Sequence, residues 1–516
     1  MRILQCCFLI GGLLPLFSTV LAQEPQNPDK QSTFDAFKQE ILNRQTGFVA
    51  TNDSLFLSFL AGVWNHYSLF EEQVRKRPKP VEQPRVMHVS DSGRIAPEKE
   101  QHQQHEPGTD EPGKIPGIDA SIDVNKEEPG ADAAVNELGK EAGTDDIGDA
   151  EVEGRPYGGK EAGIDFYGQV LPIAPITEPI LVTGNTQEEV LAFYRNYLRN
   201  PDLISLSREL LAEGAVLQLN DWGMIRLMIM ASDAIFTGMQ DRVLFAWITL
   251  LRNGLDVKVG YDQREIYLLA NFSEQIYGNP YIRIGEHRYS IVLFPGQSYP
   301  TDGIASFEAT YPGKVRPLSL NLPVLPLLTA RPVNRSFTFG KQQLKVTLAG
   351  SLVEFLGSYP TCELGIYFTA PVSVQAFSGL DRYLKPLLNG KTEIEQVNLL
   401  LEFIQTAFPY STDERQFGKE RYLFGDESLY FPYTDCEDRA VLFTRLARRY
   451  TGLKAVGLDY PNHVSAGIEF SIQHNGDFII FEGATYAICD PTYIGAKAGM
   501  QMAGMENIKP IIIACE

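Results

Sequence analysis

Residues 78–158 cannot contribute to a hydrophobic core, and this divides the chain before any motif is read. The tract is rich in Pro, Gly and acid, with EPG at 106–108, 111–113 and 128–130 and GKEAGxD at both 139–145 and 159–165. Apolar residues are too sparse there to offset the entropy of ordering the backbone, so a flexible linker is expected. Between Glu98 and Arg155 seventeen Asp and Glu face five Lys and Arg. That one segment therefore holds more than half of the acidic excess behind the net charge of −20. The balance argues against nucleic acid as a partner, while the rest of the chain is only mildly acidic.

Ahead of the tract, residues 1–22 read as a secretory signal. Arg2 supplies a basic start, Phe8–Phe17 an apolar stretch and Val20-Leu21-Ala22 a small-residue cleavage site. Cys6 and Cys7 fall too early to be a lipidated cysteine, and no later run of 18 apolar residues offers a membrane span. Residues 23–77 are expected to be helical, an αα-hairpin in the simplest arrangement. Phe34, Phe37, Ile41 and Leu42 share one face. Leu55, Phe56, Phe59, Leu60, Val63, Trp64, Tyr67 and Phe70 form a stripe of period 3.6 ending in Arg75-Lys76-Arg77.

Beyond the tract, 159–330 reads as one α+β domain, 331–395 as a β-rich bridge and 396–516 as a second domain; 516 residues suit several cores. Thr186 and Glu189 spell a capping box before the stripe Val190, Leu191, Tyr194 and Leu198. Asn220-Asp221-Trp222-Gly223 opens an apolar helix, 241–252 is helical, Val257–Tyr261 and Glu265–Ala270 are strands, and 288–325 suggests several short ones. Phe337–Leu348 and Cys362–Val372 alternate like β-structure, and Glu393–Ala407 is helical.

Chemistry concentrates in 432–493. Thr434-Asp435 leads into Cys436, after which Ala440, Phe443, Leu446 and Ala447 recur at helical spacing until Gly452. The thiol therefore stands at a helix start, where the macrodipole favours a thiolate. His463 opens a strand after the turn Pro461-Asn462, Asn475-Gly476 marks a hairpin, and Asp490-Pro491 closes another strand. Of seven His in the chain only His463 and His474 lie in this domain. Cysteine as nucleophile, histidine as base and aspartate as the acceptor that sets the ring tautomer form a workable set. A Cys436–Cys489 disulfide and a buried inert thiol are the plainer alternatives. The four cysteines left after signal cleavage contain no CxxC pair, so no metal site and no cofactor are expected.

These stretches resemble the transglutaminase-like superfamily, papain-like cysteine enzymes, and in particular its large exported Bacteroidetes-type members. The resemblance lies in NLLLEFIQTAFPYSTDERQFG (398–418), DCEDRAVLFTRL (435–446), GLDYPNHVSAGIEF (457–470) and CDPTYIGA (489–496). It implies an α+β fold in which the helix carrying the nucleophile packs on an antiparallel sheet, and a triad of Cys436, His463 and Asp490. Thr434 stands where many members have Gly, and Ser465 where many have an aromatic residue. The Cys436 N–H is a natural oxyanion donor, with Gln405 a weaker second candidate and Tyr410 a packing residue.

An internal echo accompanies this. DRVLFAWITLLRNGLDVKVGYDQREIYLLA (241–270) follows the pattern of 438–470, with the cysteine position near Gly238–Gln240 and the histidine position near Gln263 or Arg264. Residues 166–325 are thus a candidate degenerate copy, coincidence of a common pattern being the alternative. The expected function is an exported thiol-dependent amide hydrolase of the periplasm or cell envelope, acting on a peptide, a protein or a peptidoglycan peptide. Acyl transfer to an amine and a non-catalytic envelope module are the competing readings.

Overall fold

The structure is a computed structural model that describes residues 49–74, 162–173, 176, 181–472 and 475–515. The signal, the face built on Phe34–Leu42 and the acidic tract lie outside those residues. Helix α1 (Val49–Leu60) buries Phe56 and Leu60. Phe56 sits edge-on to Tyr194, Phe307 and Tyr311 at centroid distances of 5.6, 5.8 and 5.1 Å. The expected helical stripe does not continue past Leu60. Leu55 and Val63 are 50% and 87% exposed, and the chain turns at Gly62 into two short strands, β1 (Asn65–Tyr67) and β2 (Phe70–Glu71). Pairing with open sheet edges satisfies backbone groups that a helix end would leave to water, and here that outweighs the 3.6 period.

The next elements are the hairpin β3 (Ala162–Phe166) and β4 (Gln169–Ile173), then helices α2 (Gln187–Arg199), α3 (Pro201–Val216), α4 (Asp221–Ile235) and α5 (Met239–Arg252). Local chemistry sets their starts. The Thr186/Glu189 capping box is present on α2, and Asn220 Oδ1 accepts from Gly223 N at 3.0 Å on α4. Strands β5 (Val257–Tyr261), β6 (Ile266–Asn271), β7 (Pro280–Ile284), β8 (His287–Val292) and β9 (Ile304–Ser306) follow. Together with β1 and β2 they form a seven-stranded antiparallel sheet of order β1-β9-β5-β6-β8-β7-β2. Between 288 and 325 only β8 and β9 are strands; Leu318, Leu320 and Leu322 are buried along an extended segment instead.

The bridging region is less β-rich than its alternation suggests. The hairpin β10 (Pro332–Phe339) and β11 (Gln342–Ala349) forms, but α6 (Gly350–Leu356), α7 (Leu364–Thr369) and α8 (Val374–Leu388) occupy most of the remainder. In α7 Ile366, Tyr367 and Phe368 are all buried in succession, which an alternating strand with one wet face does not allow. Helices α9 (Glu393–Ala407), α10 (Asp413–Phe417), α11 (Gly425–Tyr430) and α12 (Cys436–Thr451) come next. They precede β12 (Lys454–Tyr460), β13 (His463–Glu469), β14 (Phe478–Phe481), β15 (Ala484–Cys489) and β16 (Ile511–Ala514). Gly452 ends α12 with a φ of 73°, the left-handed cap that glycine adopts without steric cost.

The second sheet has order β14-β15-β13-β12-β16 and is antiparallel throughout. The architecture is α+β, and its two sheets share one plan. Read across the sheets, β9-β5-β6-β8-β7 and β16-β12-β13-β15-β14 take the same chain order, each preceded by a long helix. Register agrees as well, Ile282 facing Tyr289 as Ile479 faces Tyr486. Among the described residues no helix is long and apolar enough to cross a membrane.

Candidate active site

Helix α12 is clamped between α9 and the second sheet. Leu442, Phe443, Leu446 and Ala447 share one buried cluster with Leu400, Leu401, Phe403 and Ile404 of α9 and with Ala466 and Ile468 of β13. At its other end Cys436 and Ala440 join Val464, Phe368 and Tyr422 in the large core. The helix start is closed by Asp435 as N-cap, whose N–H donates to Asp438 Oδ2 at 3.3 Å. Cys436 is the first helical residue and only 2% exposed.

His463 is the first residue of β13, paired with Tyr460 across a two-residue turn. Asp490 follows the last residue of β15, and the pairing of Ala466 with Cys489 brings the two strand ends side by side. His463 Nε2 and Asp490 Oδ2 are 2.8 Å apart, both residues buried. The other carboxylate oxygen accepts from the backbone N–H groups of Thr492 and Tyr493 at 2.9 and 3.0 Å. Asp490 is thereby held in one orientation, with Nε2 of the ring turned to it and Nδ1 left for other work.

Cys436 Sγ donates to Glu437 Oε2 at 2.8 Å. The sulfur is thus engaged by the neighbouring carboxyl as well as by the helix N-terminus. Arg439, one turn in, links the parts of the site. Burial pulls its guanidinium down to about 10, against the opposing charges of Tyr410, Asp435, Cys436 and Asp490. It donates to Phe408 O at 2.5 Å and to Thr434 Oγ1 at 3.3 Å, and lies over the Tyr410 ring at 5.2 Å.

Gln405 does not suit the oxyanion role expected of it. Its Nε2 donates to the carbonyls of Asp490 and Ala496, each at 3.0 Å, and its Oε1 accepts from Gly495 N at 3.0 Å. Both amide hydrogens are committed, and the side chain pins the 490–496 turn. A Cys436–Cys489 disulfide is not formed, since Cys362, Cys436, Cys489 and Cys515 are all free. Burial pushes the thiols of Cys362 and Cys489 far up, and that of Cys515 to about 11.

Three acids surround this helix start beyond those the sequence ranked as catalytic. Asp413, Asp435 and Asp438 are buried, and burial followed by mutual repulsion with Glu437 and one another holds all three well above the usual carboxylate range. Asp435 and Asp438 are visible beside Cys436 in the sequence. Asp413 is more than twenty residues away, and nothing local signals its approach.

In the first sheet the corresponding positions carry none of this chemistry. The first residue of α5 is Met239, β6 opens at Ile266, and the residue after β8 is Leu293. The cysteine position agrees with the sequence echo, while the histidine position lies a few residues later than Gln263 or Arg264. Comparison with known protein families, curated proteins and solved structures found no match for this chain.

Proposed function

We propose that residues 396–500 perform thiol-dependent acyl chemistry of the transglutaminase-like kind, with the earlier unit as a degenerate, non-catalytic counterpart. The observation that carries the reading is the buried His463–Asp490 contact of 2.8 Å, placed at strand ends beside the helix that begins with Cys436. In this reading His463 Nδ1 takes the Cys436 proton and Sγ bonds to an amide carbonyl carbon. The carbon–nitrogen bond then breaks, and the imidazolium returns the proton to the leaving amine. Water hydrolyses the resulting thioester, and the Cys436 N–H faces the developing oxyanion. The expected substrate is a peptide, a protein or a peptidoglycan peptide, and the proposed location, from the signal-like residues 1–22, is the periplasm or envelope. Transfer to a lysine amine would share every step to the thioester and differ only in the group that releases the acyl chain. The Cys436–Glu437 hydrogen bond favours one competing reading, a retired thiol in a binding module.

Alkylation separates the two. The purified chain is treated with iodoacetamide at pH 7 and the modified cysteines are located by mass spectrometry. An active site labels at Cys436 ahead of Cys362, Cys489 and Cys515, and His463→Ala slows that labelling at least tenfold. Equal rates in wild type and variant sink the triad and leave the binding module. A peptide library with and without an added amine then distinguishes hydrolysis from transfer.

A further inference from the structure

We propose that the outer edge of β14 is a docking site for an extended segment of a partner protein, added to the second sheet as an antiparallel strand. The first sheet shows what such an edge accepts. Strand β2 lies on β7, with Phe70 opposite Tyr281 and Glu71 opposite Pro280, and the Phe70 ring stacks on that of Tyr281 at 5.7 Å. Because Ile282 faces Tyr289 as Ile479 faces Tyr486, Phe478 takes the place of Tyr281, Ile480 that of Arg283 and Asp477 that of Pro280. Covered by β2, Tyr281 is 7% exposed, whereas Phe478 and Ile480 are 56% and 67% exposed. Among the described residues no strand lies on that side of β14.

The backbone phase matches too. Both hairpins turn through two residues, so Ile284 with His287 and Phe481 with Ala484 are hydrogen-bonded pairs, and bonded and non-bonded pairs alternate from there. The Asp477 carbonyl, in phase with Ile479 and Phe481, accordingly accepts from Ile488 N at 3.0 Å. The N–H and C=O groups of Phe478 and Ile480 therefore point away from β15, as those of Tyr281 point to β2. Open edges are ordinarily blunted by Lys or Pro, and Phe478-Ile479-Ile480-Phe481 has neither. The same register sets the pattern of the occupant. Running antiparallel, it places an apolar residue opposite Ile480 and an aromatic one opposite Phe478. The next residue is basic, because it meets the exposed Asp477 where Glu71 meets Pro280 in the first sheet. A four-residue edge offers far less than the roughly 1,200–2,000 Å² that a stable protein–protein interface buries, which suits a peptide strand rather than a second copy.

The test titrates the full chain with a fluorescein-tagged synthetic peptide, TKVTFKT, by anisotropy at pH 7, with amide hydrogen exchange of β14 read beside it. The expected result is a Kd below about 100 μM. The Phe478 and Ile480 amides should exchange fast in the free chain and slowly in the complex. N-methylation of the peptide's Phe, which removes one edge donor, should weaken binding at least fivefold, and replacing both of its Lys by Glu should do the same. Ile480→Pro deletes an N–H that faces away from the sheet, where an edge strand tolerates proline, and should weaken binding at least tenfold. Val374→Lys, at an 81% exposed site on α8, should leave it unchanged. A folded wild type that does not bind overturns the proposal, as does binding that survives N-methylation or Ile480→Pro. So do β14 amides already protected in the free chain. The edge then belongs to the chain itself or, where light scattering gives a dimer that Ile480→Pro dissolves, to a second copy. Should Ile480→Pro fail to fold, Ile480→Lys and the N-methylated peptide decide. None of these readouts depends on whether Cys436 is catalytic.

Discussion

Asp490→Asn asks whether the His463–Asp490 contact sets a tautomer or only fills space. The substitution is isosteric, and the fold dictates which way the new amide points. One oxygen must still accept from Thr492 N and Tyr493 N, now at 2.9 and 3.0 Å, because turning the amide would set N–H against N–H twice. The amide nitrogen is thereby forced toward His463 Nε2, where a carboxylate oxygen stood at 2.8 Å. It donates, Nε2 must accept, and the ring proton moves to Nδ1, the nitrogen that would have received the thiol proton. Exchanging a charge-assisted bond for a neutral one costs about 1 kcal/mol of stability. The wrong tautomer costs far more in rate. Triads of this logic lose about 10⁴-fold on the same change, or roughly 5 kcal/mol of barrier. The assay is the burst of nitrophenolate as 4-nitrophenyl acetate acylates Cys436, read beside the imidazole ¹⁵N shifts that report the tautomer. A burst rate within threefold of wild type, with the tautomer switched, would refute the assignment of His463 as base.

Two further perturbations probe the surroundings. Burial raises the Asp426 carboxyl from 3.8 to about 6 and Glu427 from 4.5 to about 7. Between the unfolded and folded values the native state keeps a proton that the unfolded chain has released. Stability should therefore fall as pH rises from about 4 to about 7, by on the order of 2–3 kcal/mol per group. Asp426→Asn should flatten its share of that slope in urea melts across this range, and an unchanged slope refutes the assignment. Gly457→Ala sets a Cβ 2.7 Å from Phe368 Cζ. Overpacking of that kind should lower the unfolding free energy, read from denaturant melts, by about 1–3 kcal/mol, and a neutral result would mean that Phe368 does not pack on β12.

Much of the unit that carries Cys436, His463 and Asp490 was legible because its signals are local. A cap, a 3.6 period and a closing glycine define α12. A two-residue turn and an alternating run define β12 and β13, and Asp490-Pro491 marks the end of β15. Failures came where tertiary pairing overrode period. Val63, Trp64, Tyr67 and Phe70 recur at helical spacing, yet two sheet edges compete for that backbone and win. Leu364, Ile366 and Phe368 alternate in sequence, but Phe368 packs against Gly457 of β12 while Tyr367 packs on Tyr422 and Phe424, so neither face is wet. Gln405 was found for the wrong reason, since only the position of the 490–496 turn shows where its amide is spent. Asp413 could not be found at all, because its approach to Asp435 and Asp438 depends on the path of the whole 408–423 segment.

The N-terminal strap bears on how the chain folds in time. Strand β1 lies on β9 and β2 on β7, so residues 65–71 close both margins of a sheet made much later, with Asn65 bonded to Glu308 across 243 positions. During synthesis residues 65–71 emerge well before strands β5–β9 and must wait, their backbone groups solvated, until those strands exist to receive them. Loop closure over that span is slow to nucleate and brings its reward only at the end. The first unit is accordingly expected to complete late, with residues 65–71 as its last stitch, whereas the second sheet draws every strand from within 454–514 and can assemble without them.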